Sequence, residues 1–564
     1  QDIRLGQNGN WRFATSYHRF SNDEAFKYFH EKMGITEAQF EGWVENSHEW
    51  GSRFKDFKFI ARKSLPTNFY PPETLAHTIS LVNKHGRMDW NNADQRARLQ
   101  AEINLLHYNG TIDLLPYFFI DEEVCDMYLR RGELTGPGRG SAAGLELAYD
   151  LGITHVDPRR YGLSMDRFMT KTRIESGKLP DIDQDLPHRD FLVDPVDSTK
   201  GWLTERFGEC VSQISTDTTM KLRSSIKDVF RALHGTAGVQ AISPLTNELP
   251  MPPQGITDAE FVFGYKGSDG SWTPGIIETD PVLQGFANQY PNEWSIVQKC
   301  LGMTRQKGRH ACAFVIADEP ISNFIPITTV GGVRVTQYTA STVESSGGLK
   351  MDFLIVNSLK DIGACIRLIQ DRHAPEQAAM WAKARGGLSK EEEIPGMRLN
   401  GKFVPAIRIV PMKGQFYDIW DLPEDQPVFR DICEGKTESV FQFNTPGAKL
   451  LLRNFDVVRA TIDGEAHKGL DSIEALAAFT ALDRPGPLDY YMEDGNGGKH
   501  NMLVEFARRA RGLPDSGDSL PVLRELLPET YGVITYQEQL TKIYQLLGGT
   551  TGAEADEFRV HISK

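Results

Sequence analysis

Residues 179–185 read LPDIDQD, and residues 136–144 read GPGRGSAAG. The first run sets carboxylates at every second position, Asp181, Asp183 and Asp185. On a β-strand side chains alternate faces, so all three point the same way. Like charges on one face repel and call for nearby cations. A hard divalent ion such as Mg2+ takes oxygen ligands and is often held by one or two carboxylates plus substrate phosphates. Two such ions close together activate an attacking oxygen and stabilise a leaving one, which suits phosphoryl or nucleotidyl transfer. The bland alternative is a solvated acidic strand face. Pro180 and Leu186, which frame a short β-like run, and a phosphate-binding turn upstream weigh against it.

In that turn Gly136, Gly138, Gly140 and Gly144 permit positive φ and close backbone approach. Ser141 stands where a helix would begin, so its hydroxyl and the free N–H groups can face an anion. Arg139 adds a permanent charge for phosphate. The turn lacks the GK[ST] of a Walker loop and the later acid of a dinucleotide fingerprint. A turn that only caps a helix is the alternative.

The elements that must position these residues show as periodicities. Segments 22–50 and 92–107 predict helices, as do AAGLELAYDLG after the turn and segment 219–234. Residues 179–186, 313–318 and 348–356 predict strands. A helix follows the last of these, with Ile362, Ile366 and Ile369 on one face. Residues 243–280 are rich in Pro and Gly and predict loops or an insertion. Segment 383–402 reads as a linker or exposed insertion, and the remainder as mostly helical, with a break at 512–519. The outline is a mixed α/β part up to residue 358, then a helical part. No internal repeat is found.

The bulk numbers agree with several domains, since 564 residues exceed one hydrophobic core. Hydrophobic residues at 40% and charged residues at 24% fit a soluble globular protein. There is no apolar run long enough to span a bilayer, and the first twenty residues hold no signal-peptide core. They also lack an initiator Met, which suggests a processed or excised piece. Six cysteines without CxxC or zinc spacing predict a reduced, cytoplasmic setting. A net charge of −14 argues against nonspecific nucleic-acid binding. Yet KCLGMTRQKGRH, 299–310, holds four Lys/Arg and no acid, and KLRSSIKDVFR, 221–231, holds four against one. Such clusters suit a phosphate backbone, and solvated faces are the equal alternative.

Together these stretches resemble the C family of bacterial replicative DNA polymerases, to which the alpha subunit of DNA polymerase III belongs. GPGRGSAAG, DPRRYGLSMDRFM and PDIDQD look like that family's palm, in the same order. FGECVSQISTDTTMKLRSSIKDVFRAL resembles the segment after the first catalytic acids. KGRHACAFVIAD and VESSGGLKMDFL resemble the return to the palm. ESVFQFNTPGAKLLL, ALDRPGPL, ETYGVITYQEQL and GAEADEFR resemble the fingers. The resemblance implies an α/β + α multidomain fold: a polymerase beta-like nucleotidyltransferase palm, a helical thumb and mostly helical fingers. It implies the tail of, or linker from, an N-terminal phosphoesterase-like (PHP) domain at 1–55, palm at 56–211 and 306–358, thumb at 212–305 and fingers at 359–564.

Nothing in the spacing selects Asp183 and Asp185 over Asp181. The resemblance does, and it adds Asp352 as the third metal ligand, leaving Asp181 at a strand end or outside the ligand set. Lys350, two before Asp352 and so on its face, would balance phosphate charge. Gly140 and Ser141 would cradle the triphosphate, with Arg139, Arg167 and Arg173 neutralising it. His310 would shape the site or touch nucleic acid, and Arg484 and Arg559 would face the nucleotide from the fingers. The implied cofactor is a pair of Mg2+ ions, with Mn2+ as a substitute. The implied partners are primer–template DNA and deoxynucleoside triphosphates, with a sliding clamp and a proofreading exonuclease beyond them and no membrane.

Gln184 stands where the family usually has an apolar residue, on the face opposite the aspartates. Leaving its amide unpaired there would cost about 1–3 kcal/mol, so that face is expected to be hydrogen-bonded or wet. Asp483, Cys312, Ile355 and Val560 also depart from the pattern, and residues are inserted before PDIDQD. With all three acids retained, the expectation is an active but divergent polymerase core of phage character, truncated relative to the family. The rivals are a metal-dependent nuclease or phosphoesterase using the same acids, and a noncatalytic relative that binds primer–template.

Overall fold

A computed structural model describes residues 21–55, 65–108, 112–175, 180–194, 197, 199–252, 256–266, 272–440, 442–453, 470, 472–493, 498–510, 516 and 520–562. The expected break at 512–519, apart from Ser516, and the residues inserted before Pro180 lie outside these, as do residues 1–20 of the N-terminal tail. The chain forms two compact units. One comprises residues 1–62, 215–310 and 337–346; the other comprises 63–214, 311–336 and 347–564.

In the first unit, α1 (Asn22–Met33) and α2 (Glu37–Ser52) form a pair. Capping boxes at Ser21 and Thr36 start both helices, each side chain accepting the N–H three residues on. Helix Leu222–Glu248 bends at Gly235, where φ is +69°. Its Leu222, Ile226, Val229 and Phe230 pack on Leu283, Phe286, Trp294 and Val297 to make this unit's core. The segment expected to be loops, 243–280, is therefore partly helical: this helix runs to Glu248, and Asp258–Phe263 forms another. The basic clusters are laced with acids. Arg231 and Arg305 pair with Asp228, and Lys307 with Asp217.

In the second unit, α3 (Thr74–His85), α4 (Ala93–Leu106) and α5 (Leu115–Arg130) lead to a short α6 (Glu146–Asp150). Two short strands pair after α4, β1 (His107–Tyr108) and β2 (Ile112–Asp113). A six-stranded sheet follows: β3 (Asp183–Leu186), β4 (Val211–Thr219), β7 (Thr304–Ile316), β8 (Ile327–Val330), β9 (Val333–Thr339) and β10 (Leu349–Ile355). The ribbon β5 (Tyr265–Lys266) and β6 (Trp272–Thr273) belongs to the first unit. The sheet order is β3–β10–β7–β4–β9–β8, with β10 parallel to β3 and antiparallel to β7. β4, β7 and β9 each run along the chain from one unit into the other.

The alternation in the central strands explains why they are strands. Leu349, Met351 and Phe353 are buried while Lys350 and Asp352 between them are not. Ile182 and Leu186 are likewise buried behind the aspartates. Each such apolar side chain stabilises the fold by about 1.5–3 kcal/mol on burial. They pack on α5, nearly all of which is buried, including Phe118, Phe119 and Ile120.

Two expectations need correction. The stretch after the glycine turn is a 3-10 turn, Gly140–Gly144, and the α-helix begins only at Glu146. The expected linker at 383–402 contains the end of helix Pro375–Arg385 and the hairpin β11 (Gly396–Leu399) with β12 (Lys402–Pro405). A second hairpin comes next, β13 (Ile409–Met412) with β14 (Gln415–Asp418), so the chain beyond 358 is not purely helical. Short hairpins carry little periodicity, and polar turns such as LNGK hide them. No described helix is long and apolar enough to cross a membrane.

Candidate active site

The parallel pairing of β3 with β10 sets Asp352 opposite Asp183 and Leu354 opposite Asp185. With a period of two on each strand, Asp181, Asp183, Lys350 and Asp352 fall on one face. A carboxylate oxygen from each of Asp181, Asp183 and Asp352 lies within 4.8 Å of the others. Lys350 Nζ sits 2.7 Å from Asp352 Oδ2 and 3.4 Å from Asp181 Oδ1. Asp185 is held separately, with Arg139 Nη1 at 3.2 Å from its Oδ1. The structure thus gathers two of the three expected metal ligands, Asp183 and Asp352, with Asp181 as the third member. Asp185 lies one step further along the same strand, beside Arg139.

Burial raises the pKa of Asp183, and repulsion from Asp181 and Asp352 adds to it, against relief from Arg139 and Lys350. Burial also raises Asp185, with Arg139 opposing. Behind the strand, burial first and then the charges of Asp181 and Asp183 push the fully enclosed Asp121 well above the usual carboxylate range. Asp352 Oδ1 is buried and has no hydrogen-bond partner among the described residues. An orphaned carboxylate oxygen beside two further carboxylates is the donor set a hard divalent ion takes, so the residues fit Mg2+.

The glycine turn docks on the same strand. Gly136 N–H donates to Asp185 O at 2.8 Å. A Cβ on Gly136 would lie 2.6 Å from Asp185 Cβ, so a side chain is excluded there. Gly140 has φ +57° and brings its backbone to Asp183, with Oδ2 3.6 Å from where a Cβ would stand. The two motifs therefore form one site. Beyond the turn, the first N–H groups of α6 are not free. Glu102 of α4 accepts from Glu146 N at 2.9 Å and Leu147 N at 2.8 Å. Arg98, one turn earlier, donates to Gly144 O at 2.6 Å and Leu163 O at 2.8 Å. An anion would face the 3-10 turn at Gly140–Ser141, not the end of α6. The sequence did carry a signal for Glu102: it falls on the same helix face as the apolar Leu99, Ile103 and Leu106.

Gln184 is buried as expected on the opposite face, and Nε2 donates to Asp121 O at 3.2 Å and to Cys125 Sγ at 3.1 Å. Tyr117 of α5 accepts from Ile182 N at 2.6 Å and so holds the start of β3. Three of the other expected phosphate binders are engaged within the chain. Arg167 pairs with Glu538. Arg173 donates to the carbonyls of Arg167 and Phe168. Arg559 donates to Gln537. Arg484 is exposed at the start of helix Pro485–Asp489. His310 lies on the part of β7 that belongs to the first unit.

Carboxylates from parallel neighbouring strands, a lysine among them and a glycine turn against them form an arrangement that could hold a divalent metal ion. Residues 75–355 match the family model of the bacterial DNA polymerase III alpha NTPase domain, and residues 406–564 that of the bacterial DNA polymerase III alpha subunit finger domain. The chain is 28% identical over 561 residues to DNA polymerase III subunit alpha of Aquifex aeolicus, covering 94% of this chain and 41% of that protein. It is 30% identical over 475 residues to that of Vibrio cholerae and over 472 residues to that of Escherichia coli K12. Each match covers 83% of this chain and 34% of the relative. The chain belongs to the bacterial DNA polymerase III alpha family, and its matches span less than half the length of these relatives.

Proposed function

We propose that this chain carries out template-directed DNA synthesis, in which a primer 3′-hydroxyl attacks the alpha phosphate of a deoxynucleoside triphosphate and pyrophosphate leaves. The observation that carries the reading is the register of Asp352 beside Asp183, with the glycine turn docked at the same strand. Asp183 and Asp352 would hold the metal, together with Asp185 or Asp181. When bound, Mg2+ supplies charge stabilisation and an acidified hydroxyl. Gly140 and Ser141 present backbone to the triphosphate. Lys350 and Arg139 balance its charge and orient it, and such positioning contributes much of the rate. The residues assigned are palm at 56–211 and 306–358, thumb at 212–305 and fingers at 359–564. The exposed Lys221, Lys299 and Arg309 suit a duplex backbone. A sliding clamp and a proofreading exonuclease are proposed partners, and the setting is cytoplasmic.

The test is primer extension on a short hairpin template, with and without Mg2+. Asp352→Asn is expected to lower extension by at least about 10²–10³-fold while primer–template binding persists. Wild-type extension by that variant would sink the assignment. Degradation of DNA without nucleotide addition would favour a nuclease.

A further inference from the structure

Behind the glycine turn lies a half-open pocket of ≈ 510 Å³, lined among others by Arg87, Cys125, Thr135, His155 and Arg408. Arg87 Nη2 and Arg408 Nη1 both point at His155 Nδ1, at 2.9 and 3.1 Å. A guanidinium only donates, so Nδ1 carries no hydrogen and the ring proton sits on Nε2. That nitrogen faces Thr135 Oγ1 at 3.3 Å and donates to it. Thr135 lies beside Cys125, whose sulfur receives Gln184 Nε2 at 3.1 Å. Gln184 lies between Asp183 and Asp185. At the far end Arg408 donates through Nε, at 3.0 Å, and Nη2 to the carboxylate of Asp418 at the end of β14. The backbone is tied as well. His155 N–H donates to Pro137 O at 2.7 Å, and Arg87 Nη1 donates to Tyr149 O at 2.8 Å and Thr154 O at 2.7 Å.

We propose that Thr135 and His155 are positioning residues that fix the glycine turn against the catalytic strand, through one hydrogen-bond relay from Asp418 by way of Arg408 and His155 to Thr135. The proposal rests on the reading of residues 136–141 as the triphosphate site. The relay enters the turn at Thr135, the residue before Gly136, and at Pro137. At its end Thr135 adjoins Cys125, which meets the strand from its buried side and accepts from Gln184 between the two aspartates. Burial and the two guanidiniums keep His155 neutral, with its pKa well below the ordinary histidine value. The ring therefore presents one fixed donor and one fixed acceptor. The hairpin at 409–418 thereby bears on the site without touching it.

The decisive variants are Thr135→Val, which removes the hydroxyl at nearly constant shape, and Thr135→Ser, which restores it. His155→Asn keeps an acceptor for the two guanidiniums on Oδ1 and lacks the Nε2 donor. In Thr135→Val and His155→Asn, hydrogen–deuterium exchange of the amides at 136–144 is expected to quicken about 10-fold, as is KM for nucleotide to rise, with primer–template affinity unchanged. Thr135→Ser is expected to match the wild type in both. Wild-type exchange in a folded Thr135→Val overturns the proposal, as does impairment of Thr135→Ser equal to that of Thr135→Val. Should Thr135→Val fail to fold, wild-type exchange in His155→Asn overturns it equally. The exchange measurement needs no catalysis, so it judges the relay even where a lack of extension by the wild type defeats the polymerase reading.

Discussion

Two groups of three carboxylates flank the glycine turn, and they behave differently. Asp181, Asp183 and Asp352 lie on an open strand face with Lys350 among them, their oxygens within 4.8 Å of one another. Glu102, Glu146 and Asp150 are all buried, at 1%, 0% and 0% exposure, and are divided among hydrogen bonds to Gln95, Arg98 and the backbone of α6. Among the described residues only the first group has the spacing of a cation site. Acid content alone does not make a ligand set. Glu102 accepts two backbone N–H groups and is a structural acceptor, whereas Glu146 Oε2 and Asp150 Oδ2, like Asp352 Oδ1, have no hydrogen-bond partner among the described residues. An orphaned oxygen therefore marks an ion site only where three carboxylate oxygens converge, as at Asp181, Asp183 and Asp352.

Substitutions sharpen that contrast, the loss of extension in Asp352→Asn being the largest expected effect. Next comes the choice between Asp181 and Asp185. If family position decides the ligand set, Asp185→Asn lowers extension about 10²-fold or more and Asp181→Asn about 10-fold or less. The reverse order, measured as kcat at saturating nucleotide across a Mg2+ titration, would assign the third ligand to Asp181. A smaller effect is expected from Gly136→Ala, whose methyl would meet Asp185 Cβ at 2.6 Å. Overpacking of this kind costs about 1–3 kcal/mol, read as a lowered urea midpoint at unchanged m-value.

The smallest effect concerns the buried group. Burial pushes Glu102 up to about 7 and Asp150 up to about 8. Between about pH 4, where unfolded carboxylates titrate, and those values the native state holds the extra protons. Stability from these two groups is therefore greatest at acid pH and falls as pH rises through that window. Glu102→Gln is expected to flatten the decline in midpoint between about pH 5 and pH 7. An unchanged slope would mean that Glu102 is ionised throughout.

The alternation Asp181–Asp183–Asp185 was readable as one strand face because a β-strand repeats every two residues, a local property. The close backbone approach at GPGRG was readable for the same kind of reason, since only glycine tolerates it. The helix expected at Ser141 was displaced to Glu146, because the turn closes as a 3-10 segment and Glu102, distant in sequence, caps the helix beyond it. The hairpins at 396–418 are not legible in the sequence because four-residue strands are too short to show a period.

The sequence by itself determined which side chains share a face within each strand, and where bulk was forbidden. Tertiary structure alone decided that β10 lies parallel to β3 in the register that brings Asp352 to Asp183. It also decided that Arg87, Arg408 and His155 meet behind the turn. The physical reason is that facing within one element follows from backbone geometry, whereas partners across elements follow from how the buried faces of Phe353, Ile182 and α5 pack together.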